Sequence, residues 1–231
     1  MKNGYTPETL KKILTILKAL IAYYLTVPFG QLKVRISKGN VKIGHTHNFS
    51  LAPGLTCLNC SGCIKWCYDL KACWQYANVR IARAINTAMM YLNREATFEQ
   101  IAEYISKRRT HKFFRWHVSG DILDVDYFDH MVKIARMFPD WIFWTYTKAY
   151  TYVNEWIRIN GKENMPANLS VMFSEWSGMP MDNPYDMPTF KCIMPGQEHN
   201  PSAWKCPGNC ESCLKSGHGC PYGQSSEVDL H

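Results

Sequence analysis

The chain lacks any stretch that reads as a membrane span or a cleavable leader. Its main apolar run near the start, Ile13 to Val27, is interrupted by Lys18 and followed by no small-residue cleavage site. It is too short and too charged to cross a bilayer. Nor does any segment interleave basic and aromatic residues in a recognised nucleic-acid-binding pattern. The formal net charge of +7 is partly carried by short runs such as Lys11-Lys12 and Lys107-Arg108-Arg109. That charge permits a nucleic-acid partner without implying one. The low hydrophobicity of a disordered chain is also missing: 46% of the residues are hydrophobic and 13% aromatic, enough for a proper core. These absences predict a cytoplasmic protein with no membrane partner. In a reducing cytoplasm, clustered cysteines are expected to bind metal rather than form disulfides.

The 231 residues are expected to form a single domain, 1–231. Within it, 1–30 should hold an amphipathic helix. Thr6 and Pro7 start it, and Leu10, Ile13, Leu14, Leu17 and Ile21 recur at helical spacing. Leu32 to Ile36 and Val41 to Ile43 read as short strands around a Lys38-Gly39-Asn40 turn. A helical stripe then runs from about Leu70 to Leu92, and another helix is expected from Thr97, with Gln100 completing a capping box. The middle alternates: strand Phe113 to Val118, helix Asp126 to Met137, strand Trp141 to Tyr146, helix Tyr152 to Ile159, strand Leu169 to Phe173. This β-α-β-α-β order predicts an α/β fold with a parallel sheet. A TIM-barrel-like architecture is expected over 31–176, as a small or incomplete (β/α) barrel, because the clear strands are too few for eight. Past Ser177 regular periodicity disappears, and 177–231 reads as a loop-rich cysteine segment ordered by a metal.

Ten cysteines fall mostly into two blocks. Cys57, Cys60, Cys63 and Cys67 have the C-x2-C-x2-C-x3-C spacing of bacterial ferredoxins, with Tyr68 in place of the terminal proline. A short loop of this kind wraps thiolates around the corners of a cubane, and the fourth thiolate of such a run serves another cluster. Cys206, Cys210, Cys213 and Cys220 form the second block, whose first three cysteines have the C-x3-C-x2-C spacing. That spacing resembles the radical S-adenosylmethionine enzymes, in which one iron is left free to bind the cofactor. There the motif lies near the first barrel strand; here it lies near the C-terminus, where an auxiliary cluster explains it equally well. One or two 4Fe-4S clusters, with zinc as the alternative metal, are the readings left open. Cys73 and Cys192 read as buried apolar thiols, although Cys192 could complete the second site.

In a parallel sheet, ligands bind beyond the carboxyl ends of the strands. His117, Ser119, Asp121, Lys148 and Glu175 are therefore expected on one rim. His117 is a candidate base or ligand, or else a hydrogen-bonded core histidine. Ser119 and Gly120 form a turn that can bring backbone amides to a cofactor, and Asp121 either joins them or caps the following helix. Lys148 and Glu175 are expected to face each other, as acid and base or as a rim salt bridge. His45 and His47 form an H-x-H pair on one strand face, a weak metal signal with no nearby carboxylate.

Together Thr56-Cys57, Cys63, Cys67-Tyr68, the RWHVSGD segment from Arg115 to Asp121, the FWTYTK segment from Phe143 to Lys148 and the closing cysteine block resemble the phage gene product 88 family. The resemblance spans about Phe49 to Gly223, and Cys60 and Cys73 stand outside the family's pattern. It implies a phage-encoded iron–sulfur protein with a radical-SAM-like, TIM-barrel-related fold, working in the cytoplasm of an infected bacterium.

Three functions follow as expectations. In the first, an iron–sulfur enzyme acts on a small molecule at the barrel rim, with a reductant as partner and S-adenosylmethionine as an optional cofactor. No Gly-Gly-Glu-Pro-like segment follows the first cysteine run; Ser119-Gly120-Asp121 is the nearest approach. In the second, the cluster is structural and the rim performs hydrolysis, using His117 or Asp121 as base. The third is a non-catalytic zinc or iron–sulfur module that binds nucleic acid or a host protein.

Overall fold

The computed structural model describes residues 4–230, so the expected limits at 1 and 231 lie outside the described residues. Helix α1 (Pro7–Leu25) is capped by Thr6, whose hydroxyl accepts the Thr9 N–H at 3.3 Å. The first helical position is the proline, whose missing N–H costs nothing there. Its buried stripe is Ile13, Leu17 and Ile21, laid along α3 (Ala77–Leu92) and α2 (Tyr68–Gln75). The single helix expected from Leu70 to Leu92 is thus two helices, broken where Tyr76 adopts an extended conformation at φ −122° and ψ 114°. Helix α4 (Arg94–Ser106) starts before the expected Thr97. Asn93 caps it by accepting the Ala96 N–H at 3.0 Å, while Thr97 donates its hydroxyl back to the Asn93 carbonyl at 2.7 Å.

The two strands expected within 32–43 do not form. Val34 N and Arg35 N donate instead to the side-chain amides of Gln100 and Asn86, at 3.1 and 2.8 Å. Only isolated bridges, Ser37 to Asn48 and Asn40 to Gly44, remain. The sheet begins later, with β1 (His47–Phe49), followed by β2 (Phe113–Trp116), β3 (Ile142–Thr147) and β4 (Leu169–Glu175). Helices α5 (Val125–Met137) and α6 (Tyr150–Asn160) connect β2 to β3 and β3 to β4. The expected parallel alternation is found.

The segment past Ser177 is more regular than its sequence suggests. It supplies β5 (Thr189–Ile193), β6 (Trp204–Lys205), α7 (Cys210–Ser216) and β7 (Ser226–Asp229). The result is a seven-stranded, all-parallel sheet in the order β1-β2-β3-β4-β5-β7-β6. It does not close into a barrel, because β1 and the two-residue β6 are its unjoined edges. One face carries the main core: Phe49, Phe114, Trp116, Phe143, Val171 and Phe173 pack against residues of α4, α5 and α6 such as Ile101, Phe128, Met131 and Trp156. On the opposite face, Trp144, Met172, Tyr146 and Phe190 meet Cys210, Leu214 and Cys220 of the C-terminal segment. Among the described residues no helix is long and apolar enough to cross a membrane.

Candidate functional site

The loop that leaves the carboxyl end of β1 carries the first cysteine block, and the ends of β2 and β3 hold it down. Leu51 N donates to the Ser119 carbonyl at 3.0 Å, and the Ser119 hydroxyl donates to the Leu51 carbonyl at 2.8 Å. The Asn59 amide donates to the Lys148 carbonyl at 2.7 Å. Gly120, at φ +77°, lies so close that a Cβ would sit 2.6 Å from Leu51 Cβ and 2.7 Å from Thr56 Oγ1. Ser119 and Gly120, read as cofactor contacts, therefore fasten the cysteine loop to the rim.

Within this block the thiols lie near one another. Cys57 and Cys60 share a hydrogen bond, which pushes the Cys57 thiol up and, with help from the Lys148 ammonium, pulls Cys60 down to about 7. Gly54 N donates to Cys57 Sγ at 3.4 Å. Burial raises Cys63, which also feels Lys148, and pushes Cys67 up to about 12. Among the described residues, no three or more His, Cys, Asp or Glu side chains converge in ligand geometry. The thiols are gathered on one loop but do not form a closed ligand shell. Their chemistry suits a soft metal or an iron–sulfur cluster.

Asp121 is buried, and burial raises its carboxyl despite three donors: Thr147 Oγ1 at 2.6 Å, Ile122 N at 2.8 Å and Lys148 N at 2.8 Å. It binds the end of β3 to the end of β2. The cap of the following helix is Asp124, which accepts the Tyr127 N–H at 2.8 Å.

Of its two readings, His117 takes that of a hydrogen-bonded core histidine, in the helix-covered core, and its reading as base or ligand is corrected. It lies past the end of β2 at φ +54°, and its ring nitrogens meet Tyr127 Oη at 2.8 Å and Thr145 Oγ1 at 3.3 Å. Burial, with Arg115 adding repulsion, lowers its pKa to about 3. The facing of Lys148 and Glu175 is also corrected. Lys148 Nζ donates to Ser174 Oγ at 2.7 Å and lies 5.9 Å from the Trp176 ring centroid. Glu175 pairs with Lys191 at 3.2 Å, because successive strand residues point to opposite faces. His45 and His47 do not share a site: His47 meets Tyr104 Oη at 3.0 Å, while His45 packs against His111. Cys73 is 1% exposed, with its sulfur directed at Asp69, as befits a buried apolar thiol.

The second block lies elsewhere, on the opposite sheet face. Cys210 and Cys220 pack with Trp144 and Met172, and Cys206, Cys213 and Cys220 each feel other thiols of the block. Arg115 and Tyr146, which sequence reading passed over, stand beside it. A signal was present, since an arginine in the middle of the FFRWHV strand must be accommodated on one face of a covered sheet.

Residues 29–188 match the family model described as Gene product 88, which is well over half the chain. The chain belongs to that family. In this Gene product 88 chain the matched part carries the first cysteine block, β1 to β4 and the rim, and it ends before the second block. Searches of curated proteins and of solved structures found no match.

Proposed function

We propose that this chain is a phage-encoded iron–sulfur enzyme. Cys57, Cys60, Cys63 and Cys67 hold a 4Fe-4S cluster at the carboxyl rim, and a small-molecule substrate binds beside it. The observation that carries this reading is the placement of the four thiols on the loop after β1, with Lys148 beside Cys60 and Cys63. Lys148 forms no ion pair with a carboxylate among the described residues. A cation outside any ion pair, next to sulfurs that become anionic when they bind metal, lowers the cost of assembling that charge against the nearby Asp121 carboxylate.

When bound, a cluster of this kind supplies one-electron chemistry. The chain's own residues would position the reactant. Lys148 and Ser174 offer a cation and a hydroxyl at the rim, and Trp176 gives an apolar wall. Hydrolysis with His117 or Asp121 as base is disfavoured, because His117 is turned into the core and Asp121 is occupied by three donors.

The test is anaerobic purification with iron and sulfide assays and a visible spectrum. A brown protein with about four irons and four sulfides per cluster supports the reading. A colourless protein with stoichiometric zinc refutes it. With the brown protein in hand, formation of 5′-deoxyadenosine from S-adenosylmethionine and a reductant decides whether that cofactor takes part.

A further inference from the structure

The second cysteine block is not used by this reading. It lies outside the residues matched to the family, and Cys210 and Cys220 pack on the sheet face opposite the main core. Cys206 N donates to the Glu227 carbonyl at 2.8 Å, Cys210 N to the Lys42 carbonyl at 3.0 Å, and the Cys220 carbonyl accepts from Ser170 Oγ at 2.7 Å.

Arg115 rises from β2 into the same space. Its guanidinium lies 4.5 Å from the Tyr146 ring centroid, and its Nε is buried with no partner. Tyr68, Tyr146, Cys210 and Cys220 lie around it and raise its pKa, and Cys206 and His117 feel its charge. A guanidinium stays charged throughout the range in which proteins fold, and this one, half-buried on the sheet face, forms no ion pair with a carboxylate among the described residues. The groups beside it that take the opposite charge on binding a metal are the thiols.

Neutral donors converge on the same sulfurs. Tyr146 packs in one cluster with Cys220, and its hydroxyl pulls that thiol down against the effect of burial. The Trp204 indole N–H is buried with no hydrogen-bond partner and lies close to the Cys213 sulfur. A Cβ at Gly219 would sit 3.0 Å from Cys213 Sγ and 3.1 Å from Trp204 Nε1, so only glycine leaves room for this approach. Donors and a cation directed at sulfur are the surroundings that orient and stabilise metal-bound thiolates.

We propose that Cys206, Cys210, Cys213 and Cys220 form a second, structural thiolate–metal centre, separate from the rim block, whose excess negative charge is balanced by Arg115. Binding a divalent ion replaces four thiol protons, which pass to solvent, and no electrons change hands. Four thiolates around a divalent ion leave a net negative charge and no open position, which suits a structural site. The centre would pin α7 and the segment before β7 onto the face opposite the helices.

The experiment uses the full chain loaded with zinc(II) and labelled with iodoacetamide, with mass spectrometry reading each cysteine. Shielding of Cys206, Cys210, Cys213 and Cys220 that a chelator abolishes is the expected result. Equal labelling of these four with and without zinc overturns the proposal, and this comparison needs no variant to fold. Replacing Cys57, Cys60, Cys63 and Cys67 together by serine should leave the second-block shielding intact. Its loss in a variant that is still folded by circular dichroism would show one shared site and overturn the separation. R115Q should surrender zinc to the chelator at least tenfold faster, with R115K recovering most of the difference; release at the wild-type rate would overturn the charge balance. Because the rim cysteines are read separately, absence of a rim cluster would refute the proposed function without touching this inference.

Discussion

Arg83 grips Asp69 through two parallel hydrogen bonds, Nε to Oδ2 and Nη2 to Oδ1, both 3.0 Å long. The arginine side chain is 10% exposed and the aspartate 4%. The pair ties α2, which begins immediately after Cys67, to α3. Asp69→Asn strands a buried guanidinium, and we predict a loss of about 3–5 kcal/mol in urea unfolding. Replacing both residues with apolar side chains of similar volume should recover much of that loss. Equal stability of Asp69→Asn and wild type would show that the pair is not buried.

Gly120 gives a second prediction. Alanine there must adopt φ +77° and place its Cβ 2.6 Å from Leu51. The left-handed backbone costs roughly 1–2 kcal/mol, and overpacking adds about 1–3 kcal/mol. Gly120→Ala should therefore be destabilised by several kcal/mol and should loosen the Thr56-Cys57 turn. Faster alkylation of Cys57 would report that loosening, and unchanged stability would contradict the contact.

His117 predicts an acid sensitivity. Burial, with Arg115 adding to it, holds its folded-state pKa at about 3, below the unfolded value of about 6.5. The neutral ring is favoured in the folded state. Its contribution is fully present above about pH 6.5 and is lost as pH falls from there toward the folded pKa, at about 1.4 kcal/mol per pH unit. His117→Asn tolerates the positive φ but cannot titrate. Its stability should fall less steeply than wild type between about pH 6.5 and 4, where carboxylates contribute equally to both proteins. Parallel stability curves would refute this.

Cys60 should be the most reactive thiol of the metal-free rim block. The hydrogen bond from Cys57 comes first among its causes, and Lys148 adds to it, bringing the thiol down to about 7. At pH 7.5 iodoacetamide should label Cys60 ahead of Cys63 and Cys67, since burial raises both of those and the thiolate is the nucleophile. Cys57→Ala should slow labelling at Cys60 more than Lys148→Met does. The reverse order would give Lys148 the leading role.

Much of the fold was legible in local pattern. The alternation between Phe113 and Phe173 gave the parallel strands, and Thr6-Pro7 gave the start of α1. Three kinds of feature were not legible. The break at Tyr76 has no proline or glycine to announce it, and it follows from packing α2 and α3 separately on α1. Val34 and Arg35 satisfy their N–H groups on Gln100 and Asn86, partners far along the chain. Strands β5, β6 and β7 are short and exist because a sheet edge was there to pair with.

The candidate site divides in the same way. Spacing alone marked the eight cysteines of the two blocks as neighbours within each block, because a short loop cannot carry them far apart. Only the tertiary structure decided where each block lies. The crossover connections put the first loop at the carboxyl ends of β1, β2 and β3, and the return of the chain through β5 and β7 laid the second across the opposite face. It also decided what each polar residue meets: His117 and Asp121 are consumed by bonds within the fold, while Lys148 and Arg115 lie within electrostatic reach of thiols. Which face a strand residue takes follows from its neighbours' alternation, but what waits on that face is set by chain segments far away in sequence.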